Sequence, residues 1–190
     1  MSLENREFLQ EVMRKEIKDR KIPLSLGKTC PVKCTFCYEM DHSYRQTFDM
    51  PLTTQEDWDF ILNEIRAFPT RATESWVLGG NEYMEWTDLA LHPKAMEWIE
   101  EFLEKTDKNI IMFSVGYFDP KRINRLAEKY PGRINFELSV ITLGGYRKQL
   151  MPKGPSVNQV LEVLDGPAVT SANFYSFGPG TMSEDAKTIA

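Results

Sequence analysis

The sequence lacks the features that mark membrane, secreted and nucleic-acid-binding proteins. No apolar run approaches the ~18 residues of a membrane-spanning helix, and the N-terminus lacks the uninterrupted apolar core of a secretion signal. Lysine and arginine (23 residues) do not outnumber aspartate and glutamate (28), so a net charge of −5 creates no field that attracts nucleic acid or anionic lipid. We therefore expect a soluble cytoplasmic protein that binds neither membranes nor nucleic acid.

Cysteine is also scarce, and its distribution is informative. The chain has three cysteines, and all of them lie between Cys30 and Cys37. An odd number in so short a segment cannot build a disulfide framework. The cluster indicates instead thiolates that share a metal ion or an iron-sulfur cluster, in a reducing compartment.

The length of 190 residues predicts one domain that spans 1–190 and begins with an amphipathic helix at about 2–19. After this helix, hydrophobic periodicity and capping residues predict five strands that alternate with four helices. The predicted strands lie at 22–27, 75–78, 110–115, 134–140 and 169–175, and the helices begin near Thr53 or Thr54, near Pro93, at Pro120 and near Val157. This alternation predicts an α/β fold with a mainly parallel sheet. It leaves open whether the sheet is a barrel or an open sheet, and we expect the fold to stop after the fifth strand, short of further strands.

A long segment without periodicity, from Lys28 to Pro51, follows the first predicted strand and holds all three cysteines. Cys30, Cys34 and Cys37 are spaced as C-x3-C-x2-C. Three close thiolates on one loop suit iron and sulfide, because one loop can reach three irons of a cubane cluster. The fourth iron then lacks a cysteine and can bind a substrate or cofactor.

At these residues the sequence resembles the radical S-adenosylmethionine (SAM) enzymes, whose motif is C-x3-C-x-aromatic-C after the first barrel strand. Phe36 occupies the aromatic position. The resemblance implies a partial (β/α) barrel and a [4Fe-4S] cluster held by Cys30, Cys34 and Cys37. It further implies that the fourth iron binds the amino and carboxylate groups of SAM, and that Phe36 contacts the adenine region.

Other segments resemble the SAM-binding parts of the same family. Gly79, Gly80, Asn81 and Glu82 follow the second predicted strand and are similar to the family's Gly-Gly-Glu segment, which meets the methionyl ammonium. The acidic residue comes one position late here, so Asn81, Glu82 or a backbone carbonyl remain alternatives for that contact. Two further residues resemble family positions, Ser139 beside the ribose and Arg147 beside the SAM carboxylate.

The resemblance implies reductive cleavage of SAM, with radical chemistry on a substrate that the sequence does not identify. It also implies a reducing partner such as a flavodoxin or ferredoxin. Two alternatives stay open. His42 could complete a Cys3His zinc site with the cysteines, or the chain could be a non-catalytic iron-sulfur domain used for electron transfer or structure.

The remaining aromatic and histidine residues predict packing more than chemistry. Trp58, Trp76 and Trp98 fall at core spacing, so we expect them in the hydrophobic core. His42 and His92 lie in polar segments, and the sequence predicts that both are solvated.

Overall fold

Helices and strands alternate along the computed structural model, which describes residues 3–27, 32, 34–35, 51–69, 74–79 and 88–175. The helices of this described part are α1 (Leu3–Lys18), α2 (Gln55–Ala67), α3 (Ala95–Lys105), α4 (Pro120–Lys129), α5 (Arg147–Leu150) and α6 (Val157–Leu164), with a 3-10 turn at Leu89–Leu91. The strands are β1 (Lys21–Ile22), β2 (Ser75–Leu78), β3 (Asn109–Ser114), β4 (Ile134–Ile141) and β5 (Val169–Tyr175). Among these helices, none is long and apolar enough to cross a membrane.

The five strands form one parallel sheet whose spatial order, β1-β2-β3-β4-β5, equals their order in the chain. Every crossover therefore moves the chain by one strand in the same direction. Right-handed crossovers that never reverse direction leave their helices on one face of the sheet, as in a (β/α) barrel, whereas a doubly wound sheet is covered on both faces. The predicted α/β class with parallel strands is confirmed.

The two faces of the sheet differ in burial. Along β4, Phe136 and Leu138 are fully buried, while the alternating residues Asn135, Glu137 and Ser139 are only half-buried. The buried face packs against apolar residues of α3, α4 and α6 in the main core. We call the opposite side, with Glu137 and Ser139, the open face.

Local capping chemistry explains where two of the helices begin. The Thr54 side chain accepts a hydrogen bond from the Asp57 amide, and the Asp57 carboxylate accepts one from the Thr54 amide at 2.9 Å, which makes a complete capping box for α2. Thr53 has another role, because its hydroxyl accepts from the Ser25 amide at 2.8 Å. Pro120 opens α4 behind the cap Asp119.

The first strand is shorter than the sequence predicts. Only Lys21 and Ile22 pair with β2, although Leu24 and Leu26 are also buried. Pro23 has no amide hydrogen for a sheet ladder, and Leu26 instead forms an isolated antiparallel bridge with Leu52. The apolar run at 22–27 therefore correctly indicated buried residues, but it predicted a longer strand than the structure has. No sequence pattern predicted α5.

Trp58, Trp76 and Trp98 are buried as predicted, but the prediction for His92 is wrong. Trp58 and Trp98 stack with ring centroids 5.2 Å apart, and Trp76 is also in the core. His92 is buried against Trp98, accepts a hydrogen bond from the Lys94 amide and donates one to the Thr53 carbonyl oxygen. Burial lowers the pKa of His92, which favours the neutral ring that this pairing requires.

Candidate functional site

Cys34 lies at the edge of the sheet where the parallel strands end. Its half-buried thiol packs in a small apolar group outside the main core, which we call the Cys34 cluster; its other members are Val32, Leu91, Val115, Tyr117, Ile141, Leu150 and Met151. Val115 follows β3 directly, and Ile141 is the last residue of β4. Ligands of parallel barrels bind at this carboxyl edge. The structure thus places the one cysteine that it describes where such a site is expected.

The cysteine segment is tied to α5. The Thr35 amide donates a hydrogen bond to the Leu150 carbonyl oxygen at 2.9 Å. Leu150 ends α5, and the following residue, Met151, is 2% exposed inside the Cys34 cluster. The position of Cys34 therefore depends on how α5 is held against the sheet.

Arg147 is the residue that holds α5 against the end of β4. Its buried guanidinium group donates from Nη1 to the carbonyl oxygens of Ile141 and Thr142, at 2.8 and 2.9 Å, and from Nε to that of Pro155 at 3.0 Å. A planar guanidinium with five donors is suited to bridging several carbonyls. These bonds show a structural role for Arg147, while its predicted contact with the SAM carboxylate stays a prediction.

Ser139 lies on β4, the strand whose last residue, Ile141, belongs to the Cys34 cluster. It is half-buried on the open face, pairs in register with Asn173 of β5, and precedes Ile141 of the Cys34 cluster by two residues. Two residues along a strand cover about 7 Å. Ser139 is therefore close to the Cys34 cluster, and its predicted contact with the ribose stays a prediction.

Gly79 ends β2 in a conformation that favours glycine. Its φ is +75°, its amide donates to the Ile22 carbonyl oxygen at 3.0 Å, and a Cβ built on it would overlap Cδ1 of Leu89. The rest of the glycine-rich segment, and most of the cysteine loop, lie outside the described residues; predictions for the following residues therefore stay predictions: Cys30, Phe36, Cys37, His42, Gly80, Asn81 and Glu82.

Replacement of Gly79 by alanine tests how tightly this strand end is packed. Gly132 is a matched control, because its φ is +73° but a Cβ there would meet nothing within 4 Å. We expect Gly132→Ala to lower the free energy of unfolding by about 1 kcal/mol through backbone strain alone, and Gly79→Ala by about 2 to 3 kcal/mol because Leu89 must also move. Chemical denaturation of both variants measures the difference. Equal losses would mean that Leu89 accommodates the methyl group without cost.

Sequence reasoning missed Asp88, a half-buried residue whose carboxylate links the segment after β2 to the end of β3. Oδ2 accepts from the Ser114 hydroxyl and the Val115 amide, both at 2.8 Å, and Oδ1 accepts from the Ala90 amide at 3.1 Å. Asp88 also caps the turn at Leu89–Leu91, whose last residue belongs to the Cys34 cluster. An aspartate directly before a short apolar run is an N-cap pattern, and this was the signal available in the sequence.

Asp88 makes the stability of the protein depend on pH. Burial raises its pKa from 3.8 to about 6, against hydrogen bonds from Val115, Ser114 and Ala90 that lower it. Since the folded pKa lies above the unfolded value, the contribution of Asp88 to stability is present below pH 4 and is lost as pH rises through about 6. From pH 4 to pH 7 the unfolding free energy of the wild type should fall by about 2 kcal/mol relative to that of Asp88→Asn. Parallel pH profiles for the two proteins would contradict this.

Ser114→Ala removes a hydrogen bond that lowers the pKa of Asp88, so the pKa of Asp88 should rise further in this variant. The fall in its unfolding free energy with pH should therefore extend to higher pH than in the wild type.

Comparisons with known proteins relate the chain to others by fold. No family model matches the chain, and no curated protein matches it. Six chains of solved structures match, and one of them is methylornithine synthase (PylB), with a TM-score of 0.50 and 16% sequence identity. The match covers 100% of this chain and 57% of that one, so the chain spans little more than half the length of that enzyme. An identity this low shows a shared fold, which is an α/β architecture with a parallel sheet.

Proposed function

We propose that this protein is a radical SAM enzyme that binds a [4Fe-4S] cluster and reductively cleaves SAM. The observation that carries the proposal is the position of Cys34, whose thiol lies with the ends of β3 and β4 at the carboxyl edge of a parallel sheet. The C-x3-C-x2-C spacing adds two cysteines in the same eight-residue segment. The fold likeness to methylornithine synthase, itself a radical SAM enzyme, supports the same class.

The donor set and its surroundings fit the proposed cluster. Cysteine thiolates are the usual ligands of iron-sulfur clusters, and Cys30, Cys34 and Cys37 would provide three of them. Around Cys34, the buried side chains of Val32 and Met151 exclude water from one side. When bound, the cluster would supply the electron that splits SAM into methionine and a 5′-deoxyadenosyl radical, which removes a hydrogen atom from the substrate.

The remaining residues would bind and orient SAM along the strand ends. Gly79, with its positive φ, lets the backbone turn at the end of β2, where Gly80, Asn81 and Glu82 would face the methionyl group. The other proposed contacts are Phe36 at the adenine, Ser139 at the ribose and Arg147 at the carboxylate. Arg147 would also act as a positioning residue, because it holds the α5 helix to which the cysteine segment is bonded.

The proposed reaction needs two partners, a reductant and a substrate. A flavodoxin or ferredoxin would deliver the electron, and a cytoplasmic location would keep the thiolates reduced. The substrate is a separate molecule that would enter beside SAM. The match covers only 57% of the similar enzyme's length, so the fold comparison does not extend to that whole enzyme. The complete reaction, from SAM cleavage to product, is therefore proposed here for this chain.

Electron paramagnetic resonance spectroscopy tests the proposal directly. The protein is reconstituted anaerobically with iron and sulfide, reduced, and measured with and without millimolar SAM. We expect SAM to change the spectrum of the reduced protein, since a ligand on an iron alters its electronic environment. An intact cluster whose spectrum does not respond to SAM would contradict the enzyme proposal and favour the non-catalytic iron-sulfur domain.

A further inference from the structure

A carboxylate and an aromatic ring lie side by side on the open face of the sheet. Phe113 of β3 and Glu137 of β4 are register partners, and Ser171 of β5 pairs with Glu137 directly after a register shift in the β4–β5 ladder. Paired residues of neighbouring strands point to the same face, with strands about 4.8 Å apart. Met112 and Ser114, on either side of Phe113 in the chain, are buried on the helix-covered face. Phe113 itself is 41% exposed.

Glu137 has no counter-charge within the part of the chain that the structure describes. The ion pairs of this part join helices, helix flanks and loops, and none involves Glu137. Its sheet neighbours are Phe113 and Ser171 across the strands and Asn135 and Ser139 along β4. Glu137 is therefore a half-buried carboxylate whose sheet neighbours are one aromatic residue and neutral polar residues, and a cation would complement its negative charge.

We infer that Phe113 and Glu137 form a binding site for the ammonium group of a small organic molecule. A primary ammonium has three N–H donors, so it can bond to the Glu137 carboxylate and to a hydroxyl such as that of Ser171. Its positive charge is also attracted to the face of an aromatic ring within about 6 Å. The partner is therefore an amine, and the aliphatic remainder of the molecule would extend along the open face.

This amine is the substrate if the protein is the enzyme proposed above, so its assignment as substrate rests on the proposed function. Glu137 precedes Ser139 by two residues, so it lies about 7 Å deeper in the sheet than the proposed ribose contact. A molecule held there would lie beside SAM bound at the strand ends. Amine binding itself requires neither SAM nor a reduced cluster, so the two proposals can fail separately.

The test uses n-butylammonium as the probe and 1-butanol as a neutral molecule of similar size and shape. Binding to the full chain, before and after cluster reconstitution, is followed by ligand-observed proton NMR. We expect saturable binding of n-butylammonium and not of 1-butanol. Glu137→Gln should raise the dissociation constant at least about tenfold, and Phe113→Leu about three- to tenfold, since one loses the charge and the other the ring.

Glu162→Gln is the matched control, because it makes the same charge change at an exposed position of α6, on the helix-covered side of the sheet. It should leave the dissociation constant unchanged. Three outcomes would overturn the inference: no saturable binding to the wild type, equal binding to Glu137→Gln with its fold intact by circular dichroism, or equal binding of 1-butanol. Displacement of the probe by SAM would show that the site holds the ammonium of SAM and would overturn its assignment to a substrate.

Discussion

Replacement of Cys34 by alanine is expected to abolish cluster binding and leave the fold intact. The unmodified protein should take up about four irons and four sulfides per chain on anaerobic reconstitution, and Cys34→Ala close to none, because a cubane would keep only two cysteine ligands. Helix content should not change, since Cys34 packs in the small cluster at the sheet edge and not in the main core. Iron and sulfide analysis together with far-ultraviolet circular dichroism measures both effects.

Val32→Ala is the matched control for this experiment. Val32 is 3% exposed in the same Cys34 cluster, so its truncation disturbs the local packing without removing a sulfur ligand. We expect Val32→Ala to retain most of the iron. Binding of one zinc per chain without sulfide would contradict the iron-sulfur assignment and favour the Cys3His site with His42. Global unfolding of Cys34→Ala would mean that the metal is a structural requirement of the fold.

The second large effect is expected for Arg147→Ala. Loss of this buried guanidinium leaves the carbonyl oxygens of Ile141, Thr142 and Pro155 without the donors that now satisfy them. We expect the unfolding free energy to fall by about 4 kcal/mol, because each buried group left unsatisfied costs about 1–3 kcal/mol. The affinity for SAM, measured by titrating SAM against the spectroscopic response, should fall about ten- to hundredfold because a charge-assisted contact is lost.

Arg133 provides a control with similar bonding at the other end of β4. It donates to the carbonyl oxygens of Leu103, Thr106 and Lys108, at 2.7, 3.0 and 2.6 Å. Arg133→Ala should also destabilise the protein, but it should not change the response to SAM. If Arg147→Ala does not fold, Arg147→Lys keeps the charge without the planar fork and allows the same comparison. A normal SAM response in a folded Arg147 variant would contradict the proposed contact with SAM.

Most helices and strands could be predicted from local chemistry. The capping box of Thr54 and Asp57, and the pair Asp119 and Pro120, mark helix starts by interactions between residues close in sequence. Apolar periodicity predicted β2 and β5 with the observed bounds. It overstated the length of β1, because burial of Leu24 and Leu26 does not require a strand partner. The prediction that His92 is solvated came from its polar sequence neighbours, and it was wrong because the partners Thr53 and Trp98 come from two other segments.

The candidate site divides in a similar way. The cysteine motif and the glycine-rich segment are each a short stretch of sequence, so predictions about their chemistry could be made without coordinates. The contact of Asp88 with Ser114 spans 26 residues, and the hydrogen bond of Thr35 with Leu150 spans 115. Local periodicity carries no information about such pairs.

Sequence alone was sufficient to predict the α/β alternation and a cysteine-ligated cluster, since both predictions use residues that are close to one another in the chain. It was not sufficient for the open face of the sheet, the side-by-side position of Phe113 and Glu137, or the burial of Arg147 among backbone carbonyls. These features depend on the register between neighbouring strands and on loop conformation. Both are set by the packing of the whole core, so they exist only once the chain has folded.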